Sequence, residues 1–202
     1  MSMLEQTAAT RERAPSAVSV DWRVIVACQH GDREALRALF EAYKDRVYSI
    51  AMYSLNGDPQ AASDATQQVF LKLMTRIHQF RGESDFATWL YRLVVNVCRD
   101  EMRKQRRWVP LADSFFSTAS VKQTQSRQYA SKELSRQVQE AIGQLKPKLR
   151  WPILLKYVED LSYEEIGQVL GCSKGTVASR LNRGHKALSK KLGYLREQLE
   201  TE

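Results

Sequence analysis

The chain is poor in residues that staple, ligate or break structure, with three cysteines, three histidines, nine glycines and five prolines among 202 residues. Cys28, Cys98 and Cys172 lie far apart, with no C-x-x-C pair and no neighbouring histidine cluster. That spacing excludes the usual zinc patterns, and the odd count argues against a disulfide scaffold; the three read as reduced core thiols. His30, His78 and His185 are scattered without partnering carboxylates, which leaves a helical hydrolase or metalloenzyme without support. There is no phosphate-binding G-x-x-x-x-G-K-[ST] loop, so nucleotide hydrolysis is not expected, nor is any cofactor. Charged residues make up 27% of the chain, which argues against a membrane protein. Residues 1–19 lack the apolar run of a signal peptide, so a cytoplasmic location is expected. Strand-like alternation and internal repeats are missing as well.

What is present is an apolar fraction of 43%, enough for packed cores, and a formal net charge of +8. Such a field attracts polyanions, either nucleic acid or an anionic membrane surface, and charge alone does not choose between them.

Residues 1–20 are short of large apolar side chains and read as a disordered leader. From Asp21 helical spacing takes over, through Leu36, Leu39, Phe40, Tyr43, Val47, Ile50 and Ala51. Asn56-Gly57-Asp58-Pro59 breaks that helix. A second stripe runs through Ala62, Ala65, Val69, Phe70, Leu73 and Ile77. A third helix, capped by Ser84 or Asp85, carries Phe86, Trp89, Leu90, Leu93, Val94 and Val97. Between 109 and 130 the period disappears into a Ser/Thr/Gln-rich linker. Helical spacing returns from Leu134 through Leu145, stops at Pro147 and resumes at Trp151. The expectation is an all-α protein of two helical domains, 21–108 and 131–195, joined by a flexible linker over 109–130.

Chemistry enters at Ser162. Ser162 and Glu165 form a capping box that starts a short helix near Tyr163, and Gly171 suits the backbone turn that ends it. Ser173 caps the next helix, which buries Val177, Leu181 and Leu188. Two helices joined by a turn of this length match a helix-turn-helix, whose second helix enters the major groove. Its outer face carries Lys174, Thr176, Ala178, Ser179, Asn182, Arg183 and Lys186, side chains suited to base edges and phosphates. In the first domain, Arg92, Asn96, Arg99 and Arg103 follow steps of four, three and four and so line one helix face, extended by Lys104, Arg106 and Arg107. A sensor domain of a one-component repressor has no use for such a stripe; contact with nucleic-acid phosphates explains it.

The block from Asp160-Leu161-Ser162-Tyr163-Glu164-Glu165-Ile166-Gly167 to Arg183-Gly184 closely resembles region 4 of the extracytoplasmic-function sigma factors of bacterial RNA polymerase. That resemblance implies that Ser173, Lys174, Thr176, Ala178, Ser179, Asn182, Arg183 and Lys186 face the −35 promoter element. The family usually has Lys or Arg where Ala178 stands, with Lys174 the cation nearest to take its place. Asp64-Ala65-Thr66-Gln67-Gln68-Val69-Phe70-Leu71-Lys72-Leu73 resembles the region 2 helix that docks on the clamp helices of the largest polymerase subunit. Asp64, Gln67, Gln68, Phe70 and Lys72 then become polymerase contacts, with Gln67 and Gln68 standing where the family commonly has acids. Phe80-Arg81-Gly82-Glu83-Ser84-Asp85-Phe86-Ala87-Thr88-Trp89-Leu90 resembles the segment that holds a flipped base of the −10 element. Ser84, Asp85 and Asn96 are the polar candidates for that pocket; Phe86, Trp89 and Leu90 read as core. The resemblance thus implies an initiation factor without catalytic residues, whose partners are core RNA polymerase, promoter DNA and an anti-sigma factor that would hold it near the inner membrane.

Overall fold

A computed structural model describes the backbone of residues 20–108 and 126–199 and the side chains of residues 20–105 and 134–193. All but the last residue of the expected leader, all but the end of the expected linker, and the side chains of Arg106 and Arg107 lie outside that range. Among the described residues there is no strand. Eight α-helices follow in order: α1 (Trp22–Gln29), α2 (Arg33–Ser54), α3 (Pro59–Arg76), α4 (Phe86–Trp108), α5 (Ser126–Gly143), α6 (Pro147–Tyr157), α7 (Tyr163–Leu170) and α8 (Lys174–Leu199), with a 3₁₀ turn at Ile77–Gln79 after α3.

The helix starts follow from short acceptor side chains. Asp21, Asp32 and Asp58 each accept from a free backbone N–H of the helix they precede, at 2.9–3.1 Å, and Pro59 sits where a missing N–H costs nothing. Three boundaries differ from the expected ones. The helix expected from Asp21 is broken at Gly31, whose φ of 83° takes the chain out of α1 before Asp32 caps α2. Pro147 starts α6 rather than stopping a helix, because the first helical position has no intrahelical bond to lose. Helix α5 begins at Ser126, inside the stretch read as linker; Arg127, Gln128, Ala130, Lys132 and Glu133 are good helix formers whose polarity hides any apolar period.

The two helical units share one continuous set of buried apolar side chains, and α4 joins them. Its expected stripe, Leu90, Leu93, Val94 and Val97, packs within the first unit. Tyr91, Val95 and Cys98 are equally buried, and with Met102 they make a second stripe at steps of four, three and four. Along this stripe the second unit docks. Tyr91 donates its hydroxyl to the Glu159 carboxylate in the α6–α7 connection, and Arg46 of α2 pairs with the same oxygen at 3.2 Å. Arg150 of α6, 4% exposed, donates to the Ser54 carbonyl at the end of α2, to the carbonyl of Gly143, the last residue of α5, and to that of Leu145 just beyond it. Met102 lines a cavity of about 640 Å³ with Gly143, Leu145, Pro147 and Arg150.

Glu159 is buried, and its second oxygen has no hydrogen-bond partner. Burial therefore pushes its carboxyl above the usual range, against the opposing pull of the Tyr91 hydrogen bond and the Arg46 charge. A carboxyl that binds a proton more readily folded than unfolded stabilises the fold most at low pH, and that contribution is lost as pH rises through the raised value. Glu159→Gln cannot titrate. Urea unfolding at about pH 7 and about pH 5 should therefore show wild type gaining stability relative to Glu159→Gln on acidification, a gap opposite in sign to that of a salt-bridged surface acid.

Candidate nucleic-acid and polymerase interfaces

The loop from 81 to 85 is held from below. Trp22, Phe80, Phe86 and Trp89 stack in tilted and edge-on pairs with ring centroids 5.4–6.1 Å apart, and Trp22 lies 3.6 Å from the position a Cβ on Gly82 would take. Gln29 of α1 donates its amide to the Ile77 and Phe80 carbonyls at 3.0 and 2.8 Å, fixing the chain that enters the loop. Above this floor, Asp85 is exposed and its carbonyl accepts the Trp89 N–H at the start of α4, while Ser84 is half-buried. Phe86 is a core residue, as expected.

Along α4, Arg92, Asn96 and Arg103 are exposed and Arg99 is half-buried, all on one face. Their partners reduce the charge they offer. Arg103 pairs with Asp100, and Lys104 pairs with Glu101 at 3.1 Å. Arg92 donates through Nε to the Gln168 carbonyl of α7 at 2.8 Å. Burial, followed by the nearby Arg180 and Arg103 cations, lowers the pKa of Arg99. Arg92 and Arg99 of the basic face thus meet the second unit, through the Gln168 carbonyl and beside Arg180, while Asn96 and Arg103 stay exposed.

In that second unit the expected local chemistry is present. Ser162 and Glu165 form the reciprocal capping box, with bonds of 3.2 and 2.7 Å. Gly171 ends α7 in the left-handed region at φ 64°. Ser173 Oγ accepts the Thr176 N–H at 3.3 Å and lies 3.0 Å from its hydroxyl, which starts α8. Val177 and Leu181 are buried beneath; Ser173, Lys174, Ser179, Asn182, Arg183 and Lys186 are exposed, with Thr176 and Ala178 half-buried. Lys174 is paired with Glu164 of α7, whose carboxyl it holds below the usual range, so Lys174 is not an unengaged replacement for a cation at Ala178. Sequence reasoning missed Gly167. A Cβ there would stand 2.6 Å from the Cys172 carbonyl oxygen, so α7 and the turn touch only because that side chain is absent. A glycine four residues before a turn glycine, on the inward face, was the available signal.

On α3, Asp64, Gln67 and Gln68 are exposed and Lys72 is half-buried, 3.8 Å from Asp100 of α4. Phe70 turns inward: it is 8% exposed and packs edge-on against Phe40 at 4.7 Å. The apolar surface of α3 comes instead from Leu71 and Met74, both about half exposed.

Two family models match this chain, Sigma-70 region 2 over residues 39–108 and Sigma-70 region 4 over residues 135–188. The ECF RNA polymerase sigma factor SigW of Bacillus subtilis is 32% identical over 80% of this chain and 91% of its own length. The ECF RNA polymerase sigma-E factor of Escherichia coli K12 is 34% identical over 81% and 90%. The chain belongs to the ECF sigma factors of RNA polymerase. Among solved structures, it is similar to the sigma factor RpoE of Bartonella quintana, determined in complex with the anti-sigma factor NepR, with a TM-score of 0.63, 26% identity and coverage of 78% of this chain and 96% of that one.

The region 2 match takes in most of α2, then α3, the 81–85 loop and α4; the region 4 match takes in the second half of α5, then α6, α7 and the first half of α8. As a sigma factor this protein is a transcription initiation factor with RNA polymerase and promoter DNA as partners. Among the described residues no cluster of His, Cys, Asp or Glu is arranged to hold a metal, and no helix is long and apolar enough to cross a membrane. Cys28 and Cys98 are buried, and burial pushes the Cys98 thiol up to about 11, which keeps it unreactive at neutral pH.

Two outcomes test the supports of these surfaces. Gly167→Ala should cost about 1–3 kcal/mol, because the clash is with backbone, and thermal unfolding followed by circular dichroism measures it. Gln29→Ala should speed amide hydrogen exchange across residues 81–86 while lowering global stability by only about 1–2 kcal/mol; unchanged exchange there would mean the aromatic floor alone holds the loop.

Proposed function

We propose that this sigma factor divides promoter recognition between its two units, 21–108 and 131–195, and performs no chemistry of its own. The face of α8 carries the proposal. A helix capped at Ser173, packed through Val177 and Leu181 and held rigidly to α7 at Gly167 presents Ser173, Lys174, Thr176, Ala178, Ser179, Asn182, Arg183 and Lys186 on its other side. Such a face inserts into the major groove of the −35 element: Asn182 and Arg183 have the donors and acceptors to read base edges, while Lys174 and Lys186 meet phosphates. Lys174 exchanges Glu164 for a phosphate when it does so.

In the first unit, Ser84 and Asp85 sit on a loop braced by Gln29 and an aromatic floor, a suitable rim for a base extruded from the −10 element. Arg92, Asn96, Arg99, Arg103 and Lys104, continued by Arg106 and Arg107, track the phosphates of the melted strand. Asp64, Gln67, Gln68 and Lys72, together with the exposed Leu71 and Met74, form the surface for the polymerase clamp; Phe70 acts from beneath by supporting Phe40. A factor that works on polymerase and promoter belongs in the cytoplasm, where an anti-sigma factor would restrain it near the inner membrane; the complex of the Bartonella quintana relative with NepR supports an anti-sigma partner and is silent on the membrane.

In vitro transcription with core polymerase and a promoter library tests the division of labour. Asn182→Ala should lower output by about 5- to 150-fold on preferred promoters, equivalent to about 1–3 kcal/mol for a base contact, while relaxing preference at one −35 position. Replacing Arg92, Arg99 and Arg103 by Ala should weaken all promoters alike. Transcription that is specific and unaffected by both changes would refute the assignment of these faces.

A further inference from the structure

Of the four rings under the 81–85 loop, only Trp22 is exposed. Phe80 and Phe86 are buried and Trp89 is half-buried, whereas Trp22, the first residue of α1, keeps 51% of its surface in solvent. A ring kept only to fill the floor would be covered like the others, since apolar surface left in water gives up its share of burial energy. The indole also borders the loop directly. The place a Cβ on Gly82 would take lies 3.6 Å from Cη2 and Cζ3 of Trp22 and, chain neighbours aside, within 4 Å of no other described residue. Gly82 has φ 76°, a conformation that side chains rarely adopt. The loop thus offers the indole bare backbone at this position, and a flat group can lie across the free surface of the ring without displacing a side chain from it.

Charge decides which flat group fits. Asp21 and Arg23 flank Trp22 in the chain, Arg81 and Glu83 flank Gly82, and all four are exposed, as is Asp85. Acids match or outnumber cations here, so a phosphate gains little. An uncharged aromatic face gains most, because stacking on an indole needs no opposite charge. Phosphates are served instead on α4, where Arg92 stands six residues beyond Phe86, about 9 Å along the helix.

We propose that Trp22 is a stacking platform for an unpaired base of the −10 strand, beside the base that the 81–85 loop receives. This rests on the reading of the first unit as the holder of that strand, its backbone on α4 and its bases toward the loop. Helix α1 then belongs to the promoter-binding surface although it lies outside the Sigma-70 region 2 match, which begins at residue 39. The two parts of the site differ in kind. Ser84 and Asp85 offer hydrogen-bonding groups that tell one base from another, whereas stacking accepts any base, since each has a π-face. Trp22 therefore helps to keep the strand out of the duplex and leaves the choice of sequence to the loop.

The test uses the full chain with core polymerase and a promoter selected from the library, premelted and carrying a fluorescent purine at successive non-template positions of the −10 element. Stacking on an indole quenches such a base. One position should therefore be dark in the wild-type complex and brighten in Trp22→Leu, while Trp22→Tyr, which keeps a π-face, leaves it dark. Trp22→Leu retains an apolar side chain against Gly82, so amide exchange across residues 81–86 should stay at the wild-type rate. On duplex promoters Trp22→Leu should lower transcription by about 5- to 150-fold, the loss of one base–aromatic stack, by a similar factor across the library. Darkness that persists in Trp22→Leu would overturn the platform. Brightening together with faster exchange across 81–86 would also overturn it, leaving Trp22 a support of the loop and nothing more. Replacement of Arg92, Arg99 and Arg103 by Ala separates the two readings: if it weakens transcription and no position answers to Trp22, the platform alone falls, and if neither change has an effect, the first unit does not hold the strand and both readings fall.

Discussion

Helix α4 is asked to face three ways at once, and the arrangement of the molecule follows from the geometry of that helix. One stripe, Leu90, Leu93, Val94 and Val97, closes the first unit; the next, through Tyr91, Val95 and Cys98, receives the second; the third carries Arg92, Asn96, Arg99 and Arg103. Adjacent stripes on a helix cannot be moved independently. Whatever rests on Tyr91 also limits access to Arg92, and any change in how the two units pack alters the electrostatics of the basic face.

The contact that fixes this packing is polar. Removing one partner of a buried ion pair leaves an uncompensated charge and costs about 3–5 kcal/mol, although the intact pair adds little net stability. Glu159 with Arg46 and Tyr91 therefore specifies position more than it contributes energy. Arg150 works similarly with neutral groups, gathering the Ser54, Gly143 and Leu145 carbonyls, two of them at the otherwise unpaired end of α5. Apolar burial supplies the cohesion of the shared core, and these two side chains set its register.

Much of the local structure was legible because its causes are local. The Ser162–Glu165 box, Gly171 and the apolar period of α2, α3 and α4 are all decided within a few residues, and the structure has them where the sequence places them. The misjudged places had weak local signals: α5 begins in a polar stretch without an apolar period, and Pro147 opens a helix where a proline was taken to close one. What could not be read depends on partners far away in the chain. Tyr91 and Val95 look like incidental apolar residues until the second unit covers them, Phe70 looks available until Phe40 is placed on it, and nothing near Glu159 in sequence announces its partners 68 and 113 residues away. The cationic stripe was visible as a pattern, yet the damping of its charge by Asp100, Glu101 and the Gln168 carbonyl appears only in three dimensions.

That damping bears on thermodynamics in a way that the number of cations conceals. A polyanion binding to free lysines and arginines is driven largely by the small ions it releases, one for each phosphate neutralised, and its affinity falls steeply with salt. On α4, Arg103 and Lys104 already hold the carboxylates of Asp100 and Glu101. If a phosphate met these two residues as proposed, it would displace an anion that is covalently part of the protein and stays nearby, so the exchange would release a carboxylate into water as well as condensed cations from the strand. The liberated acids would then repel the strand that displaced them. On the proposed reading this helix would act as an ion exchanger with its own counterions built in, which would weaken indiscriminate attachment to nucleic acid and leave a larger share of the discrimination to side chains that read shape and base identity.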